Sequence, residues 1–329
     1  MPIESTDFIW RKAANTSDAT AANNGGRMSS TAIADNVRNA LFPDVTQAQR
    51  DNGATHWRKA FIHVASSTTI ELLDAKVYVA EPTPGDDFVT IHPGTQSDTQ
   101  ATMIGREYGA GPLYTDASIG ADAITVIPDG YGDLGSLAPF QAGDLIRVSD
   151  GTNTEFHIIG TVTDNSTHLS LALNGSVLEF GYTQANDTVI SSVIEQASVV
   201  ASAGNFTLTT TSGTPDQAAV MGSNKGAVQD TITLTFTSAS GFTAAGVILG
   251  ALGTGTTGAT FQPSNAGVGA PYFSIPSTAW GGTWASGETV EFDLEPASIP
   301  IWYRREVPAD SGSLAGNSVV VGITGESAE

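Results

Sequence analysis

The chain of 329 residues contains no cysteine. That absence excludes disulfides, thiolate metal sites and a cysteine nucleophile, and it fits either redox compartment. Charge is also scarce, at 14% of residues against roughly 25% in an average globular chain. Basic residues are the scarcest: 13 Lys and Arg stand against 34 Asp and Glu, a net charge of −21. No run of 18 apolar residues exists, which excludes a helical membrane span. The opening, MPIESTDFIWRKAANTS, is polar and acidic and does not read as a signal peptide, so synthesis in the cytoplasm is expected.

The charge is unevenly placed. Residues 1–59 carry seven basic and six acidic side chains, and residues 60–329 carry six basic and 28 acidic ones. A body of that sign repels phosphate backbones, so no direct nucleic-acid binding is expected of it.

What is abundant points to strands and turns. There are 36 glycines, many Thr, Ser and Val, and 40% apolar residues that often alternate with polar ones. This combination favours a mainly β chain. The first 29 residues read as an arm with one apolar anchor, Phe8, Ile9 and Trp10, followed by the basic Arg11 and Lys12 and, further on, Arg27. Thr31–Phe42 is expected to form a helix with Ile33, Val37 and Leu41 on one face, stopped by Pro43. A second short helical turn is expected over Thr46–Asn52, ended by Gly53.

From Trp57 to Pro82 two runs alternate with period two: Ala60, Ile62 and Val64, then Ala75, Val77 and Val79. They read as the first hairpin of an immunoglobulin-like sandwich. Its nearest suitable partners are far away, at Ile301–Val307 and Ser318–Thr324. Four regions follow. Residues 1–53 are an assembly arm with its helix. Residues 54–105 and 296–329 form a discontinuous sandwich, with Gly325–Glu329 frayed. Residues 106–226 are an inserted small β-barrel, signalled by FQAGDLIRVSD and the short strands after it, and residues 227–295 are a second inserted β module.

Local chemistry motifs fail on context. Gly253, Gly255 and Gly258 spell G-x-G-x-x-G, but ATFQPSNAG follows where dinucleotide binding needs a helix. The loop Asp150–Glu155 lacks the alternating ligands of a calcium loop. Asp86 and Asp87 are adjacent, so an extended chain sends them to opposite faces. Among five histidines none forms H-x-x-x-H or H-E-x-x-H. His63 and His157 sit in alternating runs and read as wet-face residues. No enzyme activity, metal or cofactor is expected. Trp10, Trp57, Tyr78, Trp280, Trp284, Trp302 and Tyr303 read as core plugs, with a weak carbohydrate contact as the alternative.

Two stretches carry a resemblance. GGRMSSTAIADNVRNALFPDV with WRKAFIHVASSTTIELLDAKVYVAEP resembles the openings of structural proteins of tailed bacteriophages and prophages. The tail YFSIPSTAWGGTWASGETVEFDLEPASIPIWYRREVPADSGSLAGNSVVVGITGESAE resembles theirs as well. Together they cover residues 25–82 and 272–328. The resemblance implies a virion component present in several copies, in the tail, neck or baseplate region, whose partners are itself and other virion proteins. A head-decoration or fibre-attachment protein, and a carbohydrate-binding adhesin module, are the alternatives. In this reading Phe8, Ile9, Trp10, Arg11, Lys12, Arg27, Ile33, Val37 and Leu41 serve assembly.

Overall fold

The computed structural model describes residues 2–328; Met1 and Glu329, the outermost residues of the expected arm and frayed end, lie outside them. The chain is mainly β, with many antiparallel sheets in sandwich-like layers and one short α-helix, Gln47–Asn52. That helix is locally encoded. Thr46 caps it by accepting from the Gln49 N–H, Gln49 reaches back to the Thr46 N–H at 2.9 Å, and Gly53 leaves it at φ 80°.

The helix expected over Thr31–Phe42 is absent. Strand Gly25–Ala32 runs through its first residues, and turns at Asn36 (φ 54°) and Asn39 (φ 60°) interrupt the rest. Asn adopts the left-handed region more readily than most residues, which is incompatible with continuing a right-handed helix. The apolar spacing still has a use: Ile33, Leu41 and Phe42 are partly buried against the core, while Val37 is exposed.

The two runs of the expected first hairpin do not pair. Ala54–Val64 lies in a five-stranded sheet between Phe8–Asn15 and Ser298–Val307, with Gly25–Ala32 and Phe88–Pro93 at its edges. Leu72–Glu81 lies in a three-stranded sheet between Ile194–Val199 and Val320–Ser327. The polar link between the runs crosses from one sheet to the other. Ala60, Ile62 and Val64 from the first sheet share a core with Ala75, Val77 and Val79 from the second. Full burial of one such side chain stabilises the fold by about 1.5–3 kcal/mol, which favours facing layers over a hairpin with one wet side. The last strand extends to Ser327, and the Ala328 N–H donates to the Glu71 carbonyl, so the end expected to fray is paired over Gly325–Ser327.

Between these strands lie two further units. A six-stranded sheet runs in the order Ala110–Pro112, Val189–Ser192, Leu145–Ser149, Thr154–Asp164, Leu169–Leu173 and Ala123–Val126. A bridge from Leu113 to Val126 joins its two ends, so the sheet closes around Ile124, Ile146, Val148, Leu171 and Ile190. The other unit has a five-stranded sheet ordered Ser202–Thr209, Thr289–Glu295, Asp230–Phe236, Gly241–Gly246 and Gly250–Thr256. Its start differs from the boundary expected at residue 226, because Ser202–Thr209 pairs with Thr289–Glu295. NFTLTTT alternates like any edge strand, and nothing local in it names its partner.

Candidate functional site

The residues expected to serve assembly are placed mostly by the first sheet. Phe8, Ile9 and Trp10 are half-buried and lie opposite Val64, His63 and Ile62. Arg11 Nε donates to His63 Nδ1 at 3.0 Å, and its Nη1 donates to the Ser30 carbonyl at 2.8 Å. Lys12 lies opposite Ala60, and Arg27 is half-buried on Gly25–Ala32. The segment therefore pairs with its own chain, and its outward surface is what remains for a neighbour. Phe8 and Trp10, two residues apart in FIWRKAAN, pack against the core and hold the strand on its own sheet; the sequence offered only charge and one aromatic anchor, which favour either destination equally.

Beneath this strand pair sits a buried ion pair that no motif announces. Lys59 Nζ is 2.6 Å from Asp98 Oδ1, with side-chain exposures of 0% and 7%. The ammonium also donates to the carbonyls of Gly26 (2.7 Å) and Asp98 (3.1 Å). Trp302 Nε1 donates to the other Asp98 oxygen at 2.9 Å. Burial lowers the Lys59 pKa, and Asp98 works against that. The group ties strand Ala54–Val64, the 94–100 loop, Gly26 and Trp302 together.

At one end of the sandwich, Arg58 and Arg305 are buried beside His56. Phe42 covers them, 4.7 Å from the Arg305 guanidinium carbon and 5.8 Å from that of Arg58. Arg58 Nη2 donates to Asp18 Oδ2 at 2.8 Å. Burial first, and the Arg305 charge second, lower the His56 pKa. Residues 33–46 thus close this end of the sandwich, a role their apolar spacing suggested in a helical form.

The histidines expected on wet faces are buried. His63 donates to the Asn224 carbonyl at 2.8 Å and accepts from Arg11, and burial pushes its pKa down to about 4. His157 lies between Ser176 Oγ (2.9 Å from Nδ1) and Glu155 Oε2 (2.7 Å from Nε2). The order of groups is that of a nucleophile, a base and an orienting acid. The ring nitrogens are, however, exchanged relative to the serine-protease arrangement. Glu155 also accepts the N–H groups of Glu179 (2.8 Å) and Phe180 (3.3 Å). Burial acts to raise the Glu155 pKa, and these hydrogen bonds outweigh it and hold it below its ordinary range. The cluster works as a latch that fixes the 174–182 loop over one end of the barrel.

Asp129 is the carboxyl most displaced from ordinary behaviour. Burial, followed by the nearby Asp87 charge, raises its pKa to about 7, and its Oδ2 has no hydrogen-bond partner. Its N–H donates to the Ala110 carbonyl, which places it where the barrel meets strand Phe88–Pro93. The folded form holds this proton to higher pH than the unfolded chain does. Stability is therefore fully retained below about pH 4 and falls as pH rises toward about 7. Asp129→Asn is expected to flatten that fall, leaving stability near pH 4 little changed and raising it by a few kcal/mol, order of magnitude, at pH 8. Urea midpoints at pH 4, 6 and 8 read the difference, and an unchanged slope for the variant overturns the assignment.

The remaining motifs are structural. Asp150 Oδ1 accepts the N–H groups of Thr152 and Asn153 in a turn. Asp86 accepts the Gly312 N–H, and Asp87 accepts from Asn317. Gly253 and Gly255 lie on an edge strand, with no helix after them. Trp302, Tyr303, Trp284 and Tyr78 are buried, and Trp10, Trp57 and Trp280 are half-buried. Among the described residues no group of three or more His, Asp or Glu could hold a metal ion, and no helix is long and apolar enough to cross a membrane. No family model, curated protein or solved structure matches the chain.

Proposed function

We propose that the chain is a structural component of a tailed-phage virion, present in several copies in the tail, neck or baseplate region. One observation carries the reading. The two stretches that resemble phage structural proteins are far apart in sequence, yet they supply adjoining strands: Ala54–Val64 beside Ser298–Val307, and Leu72–Glu81 beside Val320–Ser327. A likeness that spans both halves of one sandwich is a likeness of a folded unit, although fold alone does not assign a role. The polar clusters support the reading, since each is consumed in holding segments of the chain together. In this role the chain's partners are further copies and other virion proteins. The experiment is quantitative protein mass spectrometry of purified particles, with a tagged copy located by electron microscopy. A fixed copy number and a tag in the tail, neck or baseplate are expected. A tag on the capsid surface favours head decoration, and absence from purified particles overturns the proposal.

A further inference from the structure

Glu155, His157 and Ser176 latch the 174–182 loop, and their hydrogen bonds also fix where the imidazole proton sits. Burial acts to raise the Glu155 pKa, but the bonds it accepts hold it below its ordinary range, so it is a carboxylate at neutral pH. A carboxylate only accepts hydrogen bonds. His157 Nε2, 2.7 Å from Glu155 Oε2, therefore carries the ring proton. Nδ1 is left as the acceptor, and Ser176 Oγ donates to it at 2.9 Å. Its part in the latch leaves that oxygen with no second hydrogen-bond partner among the described residues. A basic ring nitrogen bonded to a hydroxyl, with the ring oriented by an acid, is the arrangement that activates a serine nucleophile.

The surroundings of the serine suit a substrate. Glu155 and His157 are buried, and Ser176 is half-buried. Gly175 precedes it at φ 70°, and a Cβ added there would meet nothing within 4 Å, so the turn that carries the serine borders open space. The N–H groups of Ser176 and Val177 have no hydrogen-bond partner among the described residues. The N–H that follows a nucleophilic serine is a common donor to the oxyanion of acyl transfer. Apolar surface flanks the triad: Ile158 is 46% exposed, Val177 50% and Phe180 39%. Ile158 follows the histidine, Val177 follows the serine, and the Phe180 N–H donates to Glu155 at 3.3 Å. Such side chains favour a short acyl chain, and a net charge of −21 disfavours an anionic substrate.

We propose that Ser176 and His157 form an esterase site that hydrolyses neutral esters of short acyl groups, an activity added to the structural role and independent of it. Ser176 Oγ bonds to the ester carbonyl carbon as its proton passes to His157 Nδ1. The bond from that carbon to the alkoxy oxygen then breaks, and the alcohol leaves with the Nδ1 proton. Water attacks the acyl-serine and gives a proton to Nδ1. The acid departs as Ser176 Oγ takes that proton back, so ester and water become acid and alcohol. Glu155 is a positioning residue: it fixes the tautomer and offsets the charge on the ring when Nδ1 is protonated. The exchange of ring nitrogens relative to the serine proteases moves the ring but keeps the proton on the side of the acid.

Two measurements on the full chain test this. Release of nitrophenolate from p-nitrophenyl acetate and butyrate reads turnover, and a fluorophosphonate followed by peptide mass spectrometry reads the nucleophile. The parent is expected to hydrolyse both esters and to carry the phosphonyl group on Ser176. Ser176→Ala is expected to fall to the uncatalysed rate with an unchanged circular dichroism spectrum. His157→Gln is expected to lose about 10²–10⁴-fold in rate. Glu155→Gln is expected to lower kcat by about 10²-fold or more with KM unchanged, a split that a loosened loop does not produce. The label on the parent decides the matter even where a variant misfolds. Parent turnover no faster than that of Ser176→Ala, no label on the parent, or a label on another residue overturns the proposal. Labelling of Ser176 that is undiminished in His157→Gln overturns the role of the base.

Discussion

Asp98→Ala is expected to cost the fold about 3–5 kcal/mol, the penalty for leaving a buried charge without its partner. Lys59 is fully buried, and its ammonium would keep only the two carbonyl contacts, to Gly26 and to residue 98. The same change strips Trp302 Nε1 of its acceptor at a side chain with 0% exposure, and an orphaned buried donor adds to the loss. The Lys59 pKa, already lowered by burial, would fall further once the carboxylate that raises it is gone. Denaturation midpoints in urea read the effect. Adding Lys59→Met to Asp98→Ala is expected to restore most of the stability, because the unpaired cation is then removed. A double variant no more stable than Asp98→Ala would show that the buried charge is not the source of the cost.

Phe236→Ala is expected to cost a similar amount, about 3–5 kcal/mol, through lost burial and the cavity left behind. Phe236 is 1% exposed and stacks on Trp284 with ring centroids 4.1 Å apart and planes at 6°. Trp280 meets it edge-on at 5.5 Å, and Phe242 lies 5.6 Å away. No neighbouring backbone can collapse into the space without breaking the pairing of Asp230–Phe236 with the strands on both sides. Trp280 and Trp284 also report the change directly: water reaching the cavity shifts tryptophan emission to longer wavelength. Phe236→Leu keeps most of the volume and is expected to lose less than half as much. Equal losses for Ala and Leu would assign the stabilisation to ring stacking, not to filled volume.

The two buried clusters differ in how legible they were. Phe236 stands at an alternating position of the run TITLTFT, so its burial follows from period two. Lys59, Asp98 and Trp302 are separated by 39 and 204 residues, and no spacing rule connects them. Lys59 even lies at a position that alternation assigns to a solvent face. It is buried because the loop that carries Asp98 folds over that face of the sheet and accepts from its ammonium. His63, whose position also read as wet, is buried under Arg11 and the segment carrying the Asn224 carbonyl.

By itself the sequence determined the secondary-structure class and the local signals. Alternating β-branched residues and frequent glycine made the chain mainly β, and Thr46, Gln49 and Gly53 set the bounds of its α-helix, Gln47–Asn52. These are short-range effects, set by backbone sterics and hydrogen bonds a few residues apart. Tertiary structure alone decided which strands pair. It sent Ala54–Val64 and Leu72–Glu81 to opposite sheets, replaced a helix over Thr31–Phe42 by a strand and turns, and brought Ser202–Thr209 to Thr289–Glu295. Strand pairing is governed by burial summed over both faces of a sheet, and backbone hydrogen bonds are alike for every partner. Period-two alternation therefore announces a strand but carries no record of its neighbour.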